Sequence, residues 1–221
     1  MSRLYDFVTF DCYGTLVDWD KGIGTAIVNA AAAAGVDLGR RRVMAAYHEI
    51  EPVVQAEAYR SYREVLEESA RRVAKRFGWE LTLEQAAFLP RSIGHWPPFA
   101  DTREALDRLV AAGFRLGVLS NVDRDLLAQT SAHLEVEFDL IVTAEDVRSY
   151  KPAHGHFLAA RRRIGEARWL HAAQSYFHDV VPARELELPV AWINRKREVP
   201  GGPARPDREM STLAELADWL V

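Results

Sequence analysis

Short β-rich runs separated by helical patterns dominate this chain: Phe7 to Phe10, Phe114 to Leu119, Leu140 to Val142, Leu170 to Ala173 and Val190 to Ile193. That alternation predicts an α/β fold, with a parallel sheet built from βαβ units in a Rossmannoid arrangement and flanked by helices. From the second run onward the spacers are about 20 to 30 residues, enough for one crossover helix each, whereas the first gap is roughly 100 residues. Something extra is therefore inserted after the first strand. The insertion reads as helical: Ile23, Ile27, Ala30 and Ala31, and then Leu66, Ala70, Val73, Ala74 and Phe77, each fall on one helix face. Thr82-Leu83-Glu84-Gln85 has the form of a capping box. We expect residues 18–94 to form a helical cap domain and residues 1–17 with 95–221 to form the α/β core. Trp96-Pro97-Pro98-Phe99 marks the return to that core. A helix capped by Asp101 follows, with Leu106, Leu109 and Val110 inward. Thr212 to Glu215, a second capping-box pattern, opens a final amphipathic helix through Leu213, Leu216, Ala217 and Leu220.

With 221 residues, 48% of them hydrophobic and 27% charged, the chain can bury a substantial core. Its net charge of −4 gives no electrostatic reason for a nucleic-acid or anionic-membrane partner. The basic triplets Arg40-Arg41-Arg42 and Arg161-Arg162-Arg163 read as solvated helix faces. The stretch from Met1 to Asp6 has no apolar leader core, and the longest apolar run, Ala26 to Val36, is too short to span a bilayer. The expected location is cytoplasmic. Cys12 is the only cysteine, which excludes an intrachain disulfide and a cysteine-rich zinc site; the residues around it suit a chemistry other than thiolate catalysis.

Four polar clusters follow the strand-like runs, where an open parallel sheet gathers its ligand site. They are Asp11-Cys12-Tyr13-Gly14-Thr15, Ser120-Asn121, Lys151-Pro152 and His178-Asp179. Asp11 leaves the end of an apolar strand beside a glycine turn. A carboxylate buried there must be paired, and the serine and lysine of the other clusters can pair it. Only four lysines occur among 28 basic residues, so the one beside Pro152 reads as a compact point charge kept for a purpose.

Phe10-Asp11-Cys12-Tyr13-Gly14-Thr15-Leu16, Leu119-Ser120-Asn121, Tyr150-Lys151-Pro152, Asp179 and the late Ala191-Trp192-Ile193-Asn194-Arg195 together resemble the haloacid dehalogenase superfamily, and within it the 2-haloacid dehalogenases. Two positions separate its subfamilies. In the phosphatases the residue two after the nucleophile is a second Asp that protonates the leaving alkoxide; here it is Tyr13. Chloride and bromide leave without a proton, so Tyr13 favours halide displacement. The phosphatases also use magnesium, one ligand of which is a carboxylate in the fourth motif. Gln174 stands there, and a neutral amide binds magnesium poorly. No metal and no cofactor are expected.

The resemblance implies a hydrolase in which Lys151 and Ser120 hold the Asp11 carboxylate as it displaces halide from a small 2-halocarboxylic acid, forming an ester that water then hydrolyses. Thr15 and the Tyr13–Gly14 turn position the carboxylate, Asn121 lies near substrate or halide, and Asp179 orients Lys151. Tyr176 and His178 are assigned to the substrate side, with His178 also a candidate base for the hydrolytic water. Arg60, Arg63 and His48 are the cap candidates for holding halide. His154, His156 and His171 read as packing or surface residues, and Trp96, Phe99, Tyr13 and Phe177 as candidate walls of a dry pocket. Departures from the dehalogenase pattern are Gln174-Ser175-Tyr176 where a Ser-Ser-Asn-like stretch is usual, and Phe157 where a Tyr is common. A magnesium-dependent phosphatase and a non-catalytic binding protein on the same fold are the competing readings. A homodimer is compatible with each.

Overall fold

The computed structural model describes residues 3–221; Met1 and Ser2, which begin the stretch read for a leader, lie outside the described residues. In chain order the strands and α-helices are β1 (Phe7–Phe10), α1 (Trp19–Ala33), α2 (Arg40–Ala56), α3 (Tyr62–Arg76), α4 (Leu83–Ala86), α5 (Phe88–Arg91), α6 (Thr102–Ala111), β2 (Arg115–Ser120), α7 (Arg124–Leu134), β3 (Leu140–Thr143), α8 (Ala144–Val147), α9 (Gly155–Ile164), β4 (Trp169–Ala173), α10 (Val181–Glu185), β5 (Val190–Ile193), β6 (Arg208–Met210) and α11 (Leu213–Leu220).

All the strands join one parallel sheet in the order β3-β2-β1-β4-β5-β6. A strand covered on both faces has no solvent side, and Phe7-Val8-Thr9-Phe10 is buried at every position. β1 pairs with β2 on one side and β4 on the other, so the chain winds outward from it in both directions. Residues just past β1 therefore sit at the topological switch point, where ligands bind in open parallel sheets. The runs read as β1 and β5 match the strands, those read as β3 and β4 are one residue short at one end, and that read as β2 is shifted by one residue. β6 was not anticipated, since only Met210 of its three residues is buried and no apolar run announces it.

The helices of this unit show where periodicity succeeds and where it slips. Along α6 the buried face is Thr102, Ala105, Leu106 and Leu109, whereas Val110 points outward. Asp101 does not cap α6 with its side chain; it accepts hydrogen bonds from Arg195 and from Leu213 N instead. Thr212 Oγ1 accepts from Glu215 N, but the Glu215 carboxylate takes the N–H of Ser211, so the second capping box is only half formed. Both arginine triplets are exposed.

The chain divides into two compact units. One contains the chain up to Val17, Pro98–Asn121 and Leu134–Val221; the other contains Asp18–Pro97 and Val122–His133. The second is helical, with α2 against α1 and α3. Ser61 and Thr82 open α3 and α4 with complete capping boxes. Residues 122–133, expected with the core, belong here because Asp123 accepts from Tyr62 N and Arg63 N at 2.9 and 2.8 Å and Asp125 pairs with Arg63. No described helix is long and apolar enough to cross a membrane.

Candidate active site

The loop after β1 is fixed by its backbone before any side chain acts. Asp11 N extends the sheet by donating to Ala172 O at 3.1 Å, and Cys12 O gathers the N–H groups of Leu16 and Val17. Gly14 has φ +103°, a conformation in which a side chain would be strained. This tight turn brings Thr15 back over Asp11. Gln174 N donates to Thr15 Oγ1 at 2.8 Å, so the Thr15 hydroxyl hydrogen is directed to Asp11 Oδ2 at 2.9 Å. Arg195 fixes the same turn from the other side: its guanidinium donates to Thr15 O and to Asp101, and stacks 4.0 Å from the Phe99 ring centroid.

Asp11 Oδ1 accepts from Lys151 Nζ at 2.9 Å. The same ammonium donates to Asp179 Oδ1 at 2.6 Å and Leu119 O at 2.8 Å, which uses all three of its hydrogens. Asn121 holds the lysine backbone through both ends of its amide, accepting from Lys151 N at 2.7 Å and donating to Lys151 O at 3.1 Å. Burial pushes the Asp11 carboxyl up, with Lys151 opposing and Asp179 adding to the rise. Asp179 is pushed up by burial too, yet Lys151 and His171 together hold it well below the usual carboxylate range. Burial disfavours the Lys151 charge, but the two carboxylates outweigh it and raise its pKa.

Ser120 ends β2 at the same rim. Its carbonyl accepts from His156 Nε2 at 3.1 Å, while Ser120 Oγ, His156 Nδ1 and Asp179 Oδ2 are buried without hydrogen-bond partners among the described residues. Burial, and then Lys151, lower the His156 pKa to about 3, so its imidazole is neutral.

Asp11, Thr15, Ser120, Asn121, Lys151 and Asp179 thus converge on one rim. Tyr13 lies half-buried in the turn after Asp11, where it bridges to Val17. His178 is next to Asp179 in sequence, and its Nδ1 lies 3.0 Å from Ser175 Oγ, which also accepts from His178 N. Tyr176 is not brought to the rim: its hydroxyl donates to Ala204 O at 2.9 Å and its ring packs edge-on against Trp192 in the core.

Arg60, Arg63 and His48 belong to the helical unit, where they meet Glu57, Asp125 and Asp20 respectively. Phe99 lies under Arg195, Phe177 is 61% exposed, and Trp96 lines a cavity of about 410 Å³ in the helical unit. Cys12 is fully buried and its thiol is pushed well up by burial and then by Asp11, which argues against thiolate chemistry.

The residue that sequence reasoning missed is His171. It is fully buried on β4, where its Nε2 lies 3.0 Å from Asp179 Oδ1 and its Nδ1 lies 2.9 Å from Thr9 Oγ1. In sequence it sits inside an apolar strand, 162 residues from Thr9, with no local signal.

The donor set does not fit a divalent cation. Asp11 and Asp179 share the Lys151 ammonium, and the amide at the fourth-motif position, Gln174, turns to Glu198 at 3.2 Å. Among the described residues no group of three or more His, Cys, Asp or Glu side chains is arranged to hold a metal.

A parallel sheet with helices between its strands and a lysine-paired carboxylate at its switch point places the chain in the α/β class. The haloacid dehalogenase-like hydrolase model matches residues 5–173, and the chain belongs to that family. It is 30% identical to (S)-2-haloacid dehalogenase H-109 of Pseudomonas putida, over 97% of each chain. It is 28% identical to an (S)-2-haloacid dehalogenase of Pseudomonas fluorescens, over 96% of this chain and 95% of the relative. A solved dehalogenase with an intermediate complex has the same fold, with a TM-score of 0.85, 19% identity, and coverage of 100% of this chain and 99% of the other.

Proposed function

We propose that the protein is a metal-independent 2-haloacid dehalogenase in which Asp11 is the nucleophile. The observation that carries this reading is the environment of Asp11: Lys151 and Thr15 orient its two oxygens, and Tyr13 stands where an alkoxide-leaving reaction would need a proton donor. One Asp11 oxygen attacks C2 of a small 2-halocarboxylic acid, the carbon–halogen bond breaks, and halide leaves with the electron pair. Water then adds to the carboxyl carbon of the Asp11 ester and releases the 2-hydroxyacid. Asp179 keeps Lys151 charged, and its Oδ2, left over by Lys151 and His171, takes one proton of that water and passes it to the oxygen of the departing hydroxyacid, while the water's second proton leaves Asp11 for solvent. Ser120 Oγ, with hydrogen-bonding capacity in hand, faces the acid, as do Asn121 and Tyr13. The names of the relatives support the acid as substrate, and cytoplasm is the compartment this reading favours.

The test is halide release from chloro- and bromo-acids with and without a chelator, followed by a single turnover in heavy-oxygen water. Activity that survives the chelator, with label in Asp11 rather than in the product, supports the proposal. Label in the product after one turnover, or magnesium-dependent phosphate release in place of halide release, defeats it. Asp11→Asn abolishes turnover while leaving the fold intact.

A further inference from the structure

His171 and Thr9 are register partners on adjacent strands, both fully buried. Packing alone would not require an imidazole there; an apolar residue fills such a position without two ring nitrogens to satisfy. Both nitrogens are satisfied, and the pattern assigns their hydrogens. Trp169 Nε1 can only donate, and it donates to Thr9 Oγ1 at 2.7 Å. The Thr9 hydroxyl hydrogen is then free to go to His171 Nδ1, which leaves the ring hydrogen on Nε2, facing Asp179 Oδ1. Phe157 meets the ring edge-on at 5.2 Å and 87°, fixing its plane. A chain of donors thus runs from Trp169 through Thr9 and His171 to the carboxylate that shares Lys151 with Asp11.

Resting on the dehalogenase reading, we propose that His171 is a positioning residue for the hydrolytic half of the reaction: as the Nε2–H tautomer chosen by Thr9 and Trp169, it pins Asp179 through Oδ1 and leaves Oδ2 as that carboxylate's free acceptor. Without it, Asp179 keeps Lys151 but is free to rotate about its side-chain bonds, so the acceptor for the water's proton is no longer held in place. The first step, halide displacement by Asp11, does not depend on that acceptor.

His171→Leu, His171→Gln and Thr9→Val separate this role from packing. In the leucine variant the first-turnover release of halide persists, KM stays within about twofold, and kcat falls about 10- to 100-fold as ester accumulates on Asp11. The glutamine variant, whose amide supplies an N–H in place of Nε2–H, recovers most of that loss. A folded leucine variant with wild-type kcat overturns the proposal, as does equal loss in the leucine and glutamine variants. Thr9→Val leaves the ring in place, so it serves if the leucine variant does not fold. Nitrogen NMR of the resting enzyme needs no turnover and reads the tautomer directly: a pyridine-type Nδ1 and a pyrrole-type Nε2 are expected, altered by Thr9→Val. A doubly protonated or Nδ1–H ring overturns the assignment. A wild-type enzyme that releases no halide refutes the dehalogenase reading and with it the kinetic role, and the nitrogen spectrum then decides the tautomer alone.

Discussion

Replacing Lys151 by Met tests how the site is held together, because the lysine bridges two buried carboxylates. The ammonium makes three hydrogen bonds, two of them to Asp11 and Asp179, and the residue is 2% exposed. Methionine matches the length of the stem but supplies no charge, leaving two like charges buried without a counter-charge. Removing one partner from a buried ion pair costs about 3–5 kcal/mol. For a domain of this size, each kcal/mol lowers Tm by about 2–4 °C, so the variant melts roughly 6–20 °C below the wild type near neutral pH. The pH dependence fixes the cause. Asp11 is already raised by burial, and without Lys151 both carboxylates are raised above their unfolded values. A raised carboxyl contributes stability that is complete below its unfolded pKa and lost as pH rises through the folded one. The deficit is therefore small near pH 4 and opens as pH rises toward 8. Calorimetric melts at pH 4.5, 6 and 8 measure it, and a second change, Asp179→Asn, restores part of the loss at pH 8 without restoring activity. A variant that melts within about 2 °C of wild type at pH 8, or whose deficit grows on acidification, refutes the claim that Lys151 neutralises these groups.

Three further outcomes follow from the geometry. His156 is buried neutral with its pKa lowered to about 3, so its contribution is complete above the usual value of 6.5 and lost as pH falls through the window below it. On the order of 3 kcal/mol disappears between pH 7 and pH 4, and His156→Gln flattens that limb in urea titrations. Tyr176→Phe removes only the bond to Ala204 O; it costs about 1 kcal/mol and leaves kcat and KM unchanged, whereas a substrate contact would move KM. Arg195→Ala frees the Thr15 carbonyl, Asp101 and the Phe99 face together, lowering stability by about 3 kcal/mol in a denaturant midpoint and lowering kcat through Thr15.

What the sequence makes legible here is whatever has a local cause. β1 and β5 are buried at every position, and Thr82 writes its capping box within four residues. The rim residues are legible for a related reason: each follows directly on a strand or its loop, so the topology gathers Asp11, Ser120, Lys151 and Asp179 whatever the details of packing. The features that escape are those set by distant partners. Arg208 and Glu209 in β6 are exposed and look like loop. Asp101 resembles a helix cap until Arg195, 94 residues later, claims it. His171 looks like an interruption in an apolar strand until Thr9 and Asp179 are placed on either side of it. Tyr176 fails in the opposite sense, since its closeness in sequence to the fourth cluster suggests a role that its inward rotation in the fold denies.

The site buries two acidic side chains against a single basic one, so at rest it carries one surplus negative charge. Esterification of Asp11 in the proposed reaction cancels that surplus and leaves Lys151 and Asp179 as a matched couple. Burial of Asp11, Lys151 and Asp179 thus makes the alkylated enzyme the electrostatically relaxed form. It lends driving force to carbon–halogen cleavage and makes release of the hydroxyacid the step that must restore the imbalance.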